Sequence, residues 1–397
     1  MGHRRGRLTA MRIVHVSHTS QRGGAELALV RLLARPSRWD AAVCASPGGD
    51  AFAGLPVHGV PVQLDLPGLP GGGTRGKSPA LAAKYLSALR AAARTLRDSP
   101  LVHEADLLHA NSAAAAIICA LANRRRRVPL VVHLRDLVDP ESLGRFGFEA
   151  FTRIGLVRAD AVVANSATTL RSAESRIGPG VFQAVLQSPS GIDRRVTTPS
   201  VADRVRTVGM IGRLQRWKGQ HVFLEAFAHA FAGTDVRARL AGAALFGEAA
   251  YEEELREQAA RLGIAGQVDF LGHVEDIPRF IDGVDVLVHA STRAEPLGQS
   301  VLQGLAHAKP VVATEGGGPG EWLRPGENGL LVPPGDAGAL ADALRTLAAP
   351  GDLRARLAAG AARTPGLLTD DECADAHAAF FGTVLGVRAT ASGRHPE

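Results

Sequence analysis

The stretch "RTVGMIGRL" (206–214) followed by "GQHVFLEAFAHAF" (219–231) decides the fold. A short apolar run leads through a basic turn into a segment whose apolar residues recur at helical spacing, which is the pattern of a βα unit. The same alternation occupies the chain before it: "RIVHVS" (12–17) then "AELALVRLLAR" (25–35), "DLLHA" (106–110) then "AAAAIICALANR" (113–124), "PLVVHL" (129–134), and "AVVANS" (161–166). After residue 206 it restarts and runs through "VRARLAGA", "VDFLG", "VDVLVHAS" and "PVVAT", each leading to a helix-periodic segment. Repeated βα units build parallel sheets covered on both faces. Two series predict two doubly wound, Rossmann-like α/β domains that face each other across a cleft.

Between the series lies "QSPSGIDRRVTTPSVADR" (187–204), rich in Ser, Pro, Thr and charge, as interdomain connections are. The expected division is a basic, disordered lead-in over 1–10, a first Rossmann-like domain over 11–190, a linker over 191–206, a second Rossmann-like domain over 207–380 and a tail over 381–397. The stretch "LPGLPGGGTRGKSP" (66–79) carries too many Gly and Pro for a regular element and reads as a substrate loop or a surface excursion.

With 397 residues, 46 % hydrophobic and 21 % charged, the chain has the composition of a soluble globular protein large enough for two cores. Its three cysteines are far apart and lack metal-ligand spacing, so a reducing cytoplasm is expected, without disulfides or a structural metal. The longest apolar run, at 113–122, is half of the roughly 20 residues that a spanning helix needs. A balance of 45 basic against 39 acidic residues suits anionic ligands. Only 5 % of residues are aromatic and none interleave with the basic ones, which argues against single-stranded nucleic acid as a partner. The cluster "RRRR" (124–127) is either a solvated turn or a peripheral contact with an anionic membrane or acceptor.

In doubly wound domains ligands bind where parallel strands end. In the first series His18, His109 and His133 close expected strands, and Gly23 and Gly24 precede a helix whose N-terminal amides suit a phosphate. In the second, "GRLQRWKGQ" (212–220) places Arg213 and Lys218 around the turn into a helix, where both could converge on a diphosphate. The glycine-rich "TEGGGPGEW" (314–322) suits close backbone contact with a phosphate or a sugar. "AEPLGQSVLQGLAHA" (294–308) sets Glu295 between a strand end and a helix start, where a carboxylate can accept from sugar hydroxyls. Gln303 follows eight residues later, about 12 Å along a helix.

Taken in order, "GGAE" (23–26), "VHLRD" (132–136), "SGID" (190–193), "GRLQRWKG" (212–219), "EPLGQSVLQGLA" (295–306), "GGGPGE" (316–321) and "ENGLLVPPGD" (327–336) resemble family 4 of the retaining, nucleotide-sugar-dependent glycosyltransferases. That resemblance implies the GT-B fold, a UDP- or GDP-sugar donor, a hydroxyl acceptor, no resident cofactor and no metal. It further implies that Arg213 and Lys218 neutralise the donor diphosphate, that Gly23 and Gly24 approach it, and that backbone amides of Leu297 and Gly298 meet the phosphates. Glu295 would bind the transferred sugar, with His133 beside it at the reacting centre. Two positions depart from the family's pattern: Gln303 replaces the glutamate that holds the donor ribose, and Ser190 replaces the usual Asn. An epimerase or phosphorylase on the same scaffold, or a catalytically silent sugar-nucleotide-binding protein, are the alternative readings. The expected acceptor is a lipid-linked envelope glycan or a small specialised metabolite.

Overall fold

The computed structural model describes residues 11–35, 38–70, 79–124, 128–244 and 249–392. The lead-in over 1–10, most of the 66–79 stretch and Arg125–Arg127 of the arginine cluster lie outside them.

"RIVHVS" forms Arg12–Ser17 (β1), buried along nearly its whole length, because an inner strand of a parallel sheet is covered on both faces. It is joined by Asp40–Ala45 (β2), Val62–Gln63 (β3), Leu107–Ala110 (β4), Leu130–Leu134 (β5), Ala161–Ala164 (β6) and Phe182–Val185 (β7). The order is β3-β2-β1-β4-β5-β6-β7 and every pair is parallel. The second sheet holds Thr207–Ile211 (β8), Arg237–Ala241 (β9), Val268–Phe270 (β10), Val286–His289 (β11), Val311–Thr314 (β12) and Leu330–Val332 (β13). Its order is β10-β9-β8-β11-β12-β13, again all parallel. Each sheet therefore reverses direction of growth once, at β1/β4 and at β8/β11, and the carboxyl ends of those strands are where such a fold opens a crevice.

Helices pack where the apolar spacing places them. Ala113–Ala122 starts at Ser112, whose hydroxyl accepts from the amide of Ala115, and it buries Ile117, Ile118 and Cys119. In the second domain Gln220–Phe231 buries Phe223 and Phe227 in the main core. The three cysteines are buried and unpaired. Among the described residues no helix is long and apolar enough to cross a membrane.

The division into domains differs from the expected one. The chain forms one unit from residues up to Gly191 together with Asp370 onward, and a second from Ile192 to Thr369. The expected linker is packed rather than free: Ile192 and Val205 are buried in second-domain cores, and the Val196 amide donates to the Ala306 carbonyl. Beyond it, the expected second-domain C-terminus and the described part of the tail are one helix, Asp370–Ser392, that belongs to the first domain. Its Phe380 and Phe381 pack with Trp39, Phe182 and Ile13. The Asp370 carboxylate, fully buried, accepts from the amides of Ser190 and Gly191 and pairs with Arg35. Ser190 thus sits where both chain crossings leave the first domain, its hydroxyl donating to the Ser188 carbonyl.

Candidate active site

In the second domain the loops after β8, β11 and β12 are held against one another by glycines. Gly219 has φ +77° and a side chain there would place its first carbon 1.9 Å from the Ala290 carbonyl oxygen. The Thr292 amide donates to the Trp217 carbonyl, so the loop after β8 is tied to the loop after β11. Gly317, at φ +74°, bridges to Glu295 so closely that a first side-chain carbon would lie 2.1 Å from the Glu295 carbonyl oxygen. No residue with a side chain fits either position without displacing backbone.

This framework places Lys218 Nζ 2.7 Å from Glu295 Oε1. The other oxygen, Oε2, is 2.8 Å from His289 Nε2 and accepts at 2.8 Å from the Ser291 hydroxyl. Lys218 also stands 4.2 Å from the Trp217 ring centre, a cation–π contact. Burial would push the Glu295 carboxyl up, but the charges of Lys218 and His289 and their hydrogen bonds outweigh it and hold the group well below the usual carboxylate range. Glu295 is therefore an anion at any working pH, able only to accept hydrogen bonds.

The helix expected near Glu295 begins at Gln299. Residues 295–298 are not helical, so the 12 Å helical span from Glu295 to Gln303 does not apply. Gly298 adopts φ +75° as the residue preceding that helix, and Leu297 is buried beside it. Gln303 is 5 % exposed within the helix. Arg213 follows β8, and its carbonyl accepts from the buried Gln220 side chain. His289 and Ser291, which the sequence reading passed over, stand at the end of "VDVLVHAS", the strand end that a search for edge residues would reach.

In the first domain Gly23 is the residue preceding the helix Gly24–Leu33. Its φ is an ordinary −110°, so no positive φ demands glycine; instead a side chain there would meet Glu26 Oε2 at 2.4 Å. Gly24 has open space around it. His133 does not lie at an accessible strand end. It is fully buried inside β5 and its Nδ1 is 3.1 Å from His109 Nε2. His109 Nδ1 is in turn 2.9 Å from His15 Nδ1, and His15 Nε2 accepts from the Trp39 indole. With every ring neutral, one proton arrangement fits: His15 donates to His109, His109 to His133, and His133 carries its proton on Nε2, which has no partner among the described residues. Burial holds His15 down to about 3 and His109 and His133 well below the ordinary value. These histidines are core polar groups, and the assignment of His133 to a reacting centre is corrected on that ground. Of the three histidines expected at strand ends, only His18 follows its strand; its Nδ1 is 2.9 Å from the Ser112 hydroxyl.

The residue that reaches the carboxyl end of β5 is Arg135. Its Nε and Nη2 donate to Asn111 Oδ1 at 3.1 and 2.8 Å, and its Nη1 donates to the Ser188 hydroxyl at 2.6 Å. Glu26 Oε1 accepts from Ser17, the last residue of β1, at 3.2 Å. Asn111 links the two, because its amide also donates to the Ala25 carbonyl at 3.1 Å.

Two family models match this chain: residues 9–186 match the glycosyl transferase 4-like domain and residues 205–349 match glycosyl transferases group 1. The lipopolysaccharide core biosynthesis glycosyltransferase LpsE of Rhizobium meliloti is 38 % identical over 170 residues, 42 % of this chain and 46 % of LpsE. That match spans about half of LpsE. The mannosyltransferase LpsB of the same organism, also of lipopolysaccharide core biosynthesis, is 29 % identical over 72 % of this chain and 86 % of its own. The crystal structure of HepE from Anabaena in complex with UDP superposes with a TM-score of 0.77 and 28 % identity, covering 94 % of this chain and all of HepE. HepE has also been solved with UDP-glucose. The chain belongs to the group 1, family 4-like glycosyltransferases, with the two Rossmann-like domains of the GT-B fold.

Proposed function

We propose that this glycosyltransferase moves a hexose from a UDP- or GDP-linked donor to a hydroxyl of an envelope glycan acceptor, with retention of anomeric configuration, in the cytoplasm and without a resident cofactor. The observation that carries the reading is the Lys218–Glu295–His289 cluster at the β8/β11 reversal of the second domain. An ionised carboxylate there accepts from the sugar's hydroxyls. Lys218, released from Glu295 as hydroxyls take its place, joins Arg213 on the diphosphate, where two cations stabilise the charge that develops on the leaving group. The amides of Leu297 and Gly298 add uncharged donors. His133 has no part in the chemistry. The names of LpsE and LpsB support an envelope acceptor, and the UDP complexes of HepE support a uridine donor.

The test is a thermal-shift screen against UDP-, GDP-, ADP- and dTDP-sugars, since a ligand at 100 times its dissociation constant stabilises the fold by about 2.7 kcal/mol. A shift with one uridine or guanosine sugar is expected, followed by product of unchanged anomeric configuration by NMR. No shift with any of them overturns the reading. A lipid-linked acceptor would bring the basic surface to a membrane, and salt-sensitive binding to vesicles containing anionic lipid checks that part separately.

A further inference from the structure

Arg135 is a buried cation left incompletely paired. A guanidinium has five N–H donors. Three are used, two on Asn111 and one on Ser188, both neutral residues. One N–H on each terminal nitrogen is left without a partner among the described residues, on a side chain whose residue is only 8 % exposed. Among those residues no carboxylate lies within ion-pair distance of Arg135; Glu26 and Asp136 offset its charge from further away. Each nitrogen of the guanidinium has one partner, and the two N–H bonds left over are the donors open to a ligand at this strand edge.

Glu26 is the complementary group. It is 5 % exposed, and only its Oε1 is engaged by another side chain, Ser17. Beside its Oε2 stands Gly23, whose missing side chain leaves clearance there. The spacing between the two groups is fixed, because Asn111 holds Arg135 through its carbonyl oxygen and the backbone of Ala25, the neighbour of Glu26, through its amide. The group is assembled at the ends of β1, β4 and β5, around the reversal point of the first sheet. As a carboxylate Glu26 can only accept and Arg135 can only donate, while a hydroxyl does both.

We propose that Arg135 and Glu26 are the acceptor-binding pair of the first domain, the free N–H bonds of Arg135 donating to hydroxyl oxygens of a sugar or polyol and Glu26 Oε2 accepting from a hydroxyl of the same molecule. The inference rests on the transferase reading given above and adds the residues that receive its acceptor. Asn111 and Ser188 are positioning residues that aim the guanidinium.

The test uses the full chain, UDP-glucose as donor, and glucose, mannose and myo-inositol as acceptor probes. Glu26→Gln keeps the shape of the side chain, and Arg135→Lys keeps the charge while removing the fork. Each is expected to raise the acceptor KM at least tenfold while the Kd for UDP stays within twofold of wild type. Saturation-transfer NMR of the same sugars on UDP-loaded protein is expected to give a signal that both variants lose. An acceptor KM within twofold of wild type in both variants, a matching loss of UDP affinity, or no NMR signal from any of the sugars with wild-type protein would overturn the proposal. Failure of wild-type protein to bind any nucleotide sugar would instead strike the transferase reading, and this inference with it.

Discussion

Lys218 and Glu295, 77 residues apart, meet at 2.7 Å because glycines at 219 and 317 let three loops close on one another. The pair is largely withdrawn from water, with side-chain exposures of 18 % and 12 %. Removing one partner leaves the other charge poorly solvated, so Lys218→Met is expected to destabilise the second domain by about 3 kcal/mol. It should also weaken UDP binding at least tenfold. Urea denaturation and calorimetric titration with UDP check the two effects. Glu295→Ala should sharply reduce transfer, and a fully active Glu295→Ala protein would refute the site.

The glycine at 317 is a second point of stress. Gly317→Ala must adopt a left-handed backbone and place a carbon against the Glu295 carbonyl, at a cost of about 3 kcal/mol or a shift of the loop. Gly320, one turn away, has nothing within 4 Å of the added carbon. Gly320→Ala should therefore melt within a degree or two of wild type while Gly317→Ala melts lower and loses donor affinity. Equal melting temperatures for the two would show that the close approach to Glu295 does not matter.

The strands and most helices were legible in the sequence because each βα unit advertises itself within about twenty residues. "RIVHVS", "PLVVHL" and "VDVLVHAS" all became strands of the two sheets. Glu295 was legible too, since its place depends on the next strand end and helix start. What failed was information that neighbouring residues do not hold. Periodicity marks 370–392 as helical, but its place in the first domain depends on Phe381 meeting Trp39 and on Arg35 meeting Asp370, 335 residues away. The roles of His133 and Arg135 turned on where β5 ends. A strand ending at Leu134 keeps the histidine inside the sheet and leaves the arginine just past its edge, a difference of two residues.

Gln303 offers a test of donor binding that does not depend on catalysis. Gln303→Glu introduces a carboxylate at a position that is 5 % exposed. Without ligand it should lower stability by about 1–3 kcal/mol, the cost of a poorly satisfied buried polar group. If the donor ribose lies against this position, its hydroxyls supply the missing donors, and UDP-sugar should raise the melting temperature of the variant by more than it raises that of wild type. An equal ligand shift in both proteins would remove residue 303 from the donor site.

The buried histidines predict how the fold responds to acid. His15, His109, His133 and His377 are all held neutral by burial, His15 down to about 3 and His377 to about 4. Their folded values lie below the unfolded value of 6.5, so the unfolded chain takes up protons first as the pH falls. The stability they confer is complete above that value and is lost progressively below it. Between pH 7.5 and 5.5 each should remove on the order of 1 kcal/mol, and the four together a large share of an ordinary domain's stability. Glu295 acts in a different window: its folded value is depressed, so its contribution persists until the pH falls below the ordinary carboxylate value of 4.5. Urea midpoints measured across this range should drop steeply from pH 6.5 downward. Replacing His109 with Gln, a neutral group that does not titrate, should reduce that slope, and an unchanged slope in His109→Gln would show that protonation of the histidine chain is not what unfolds the first domain.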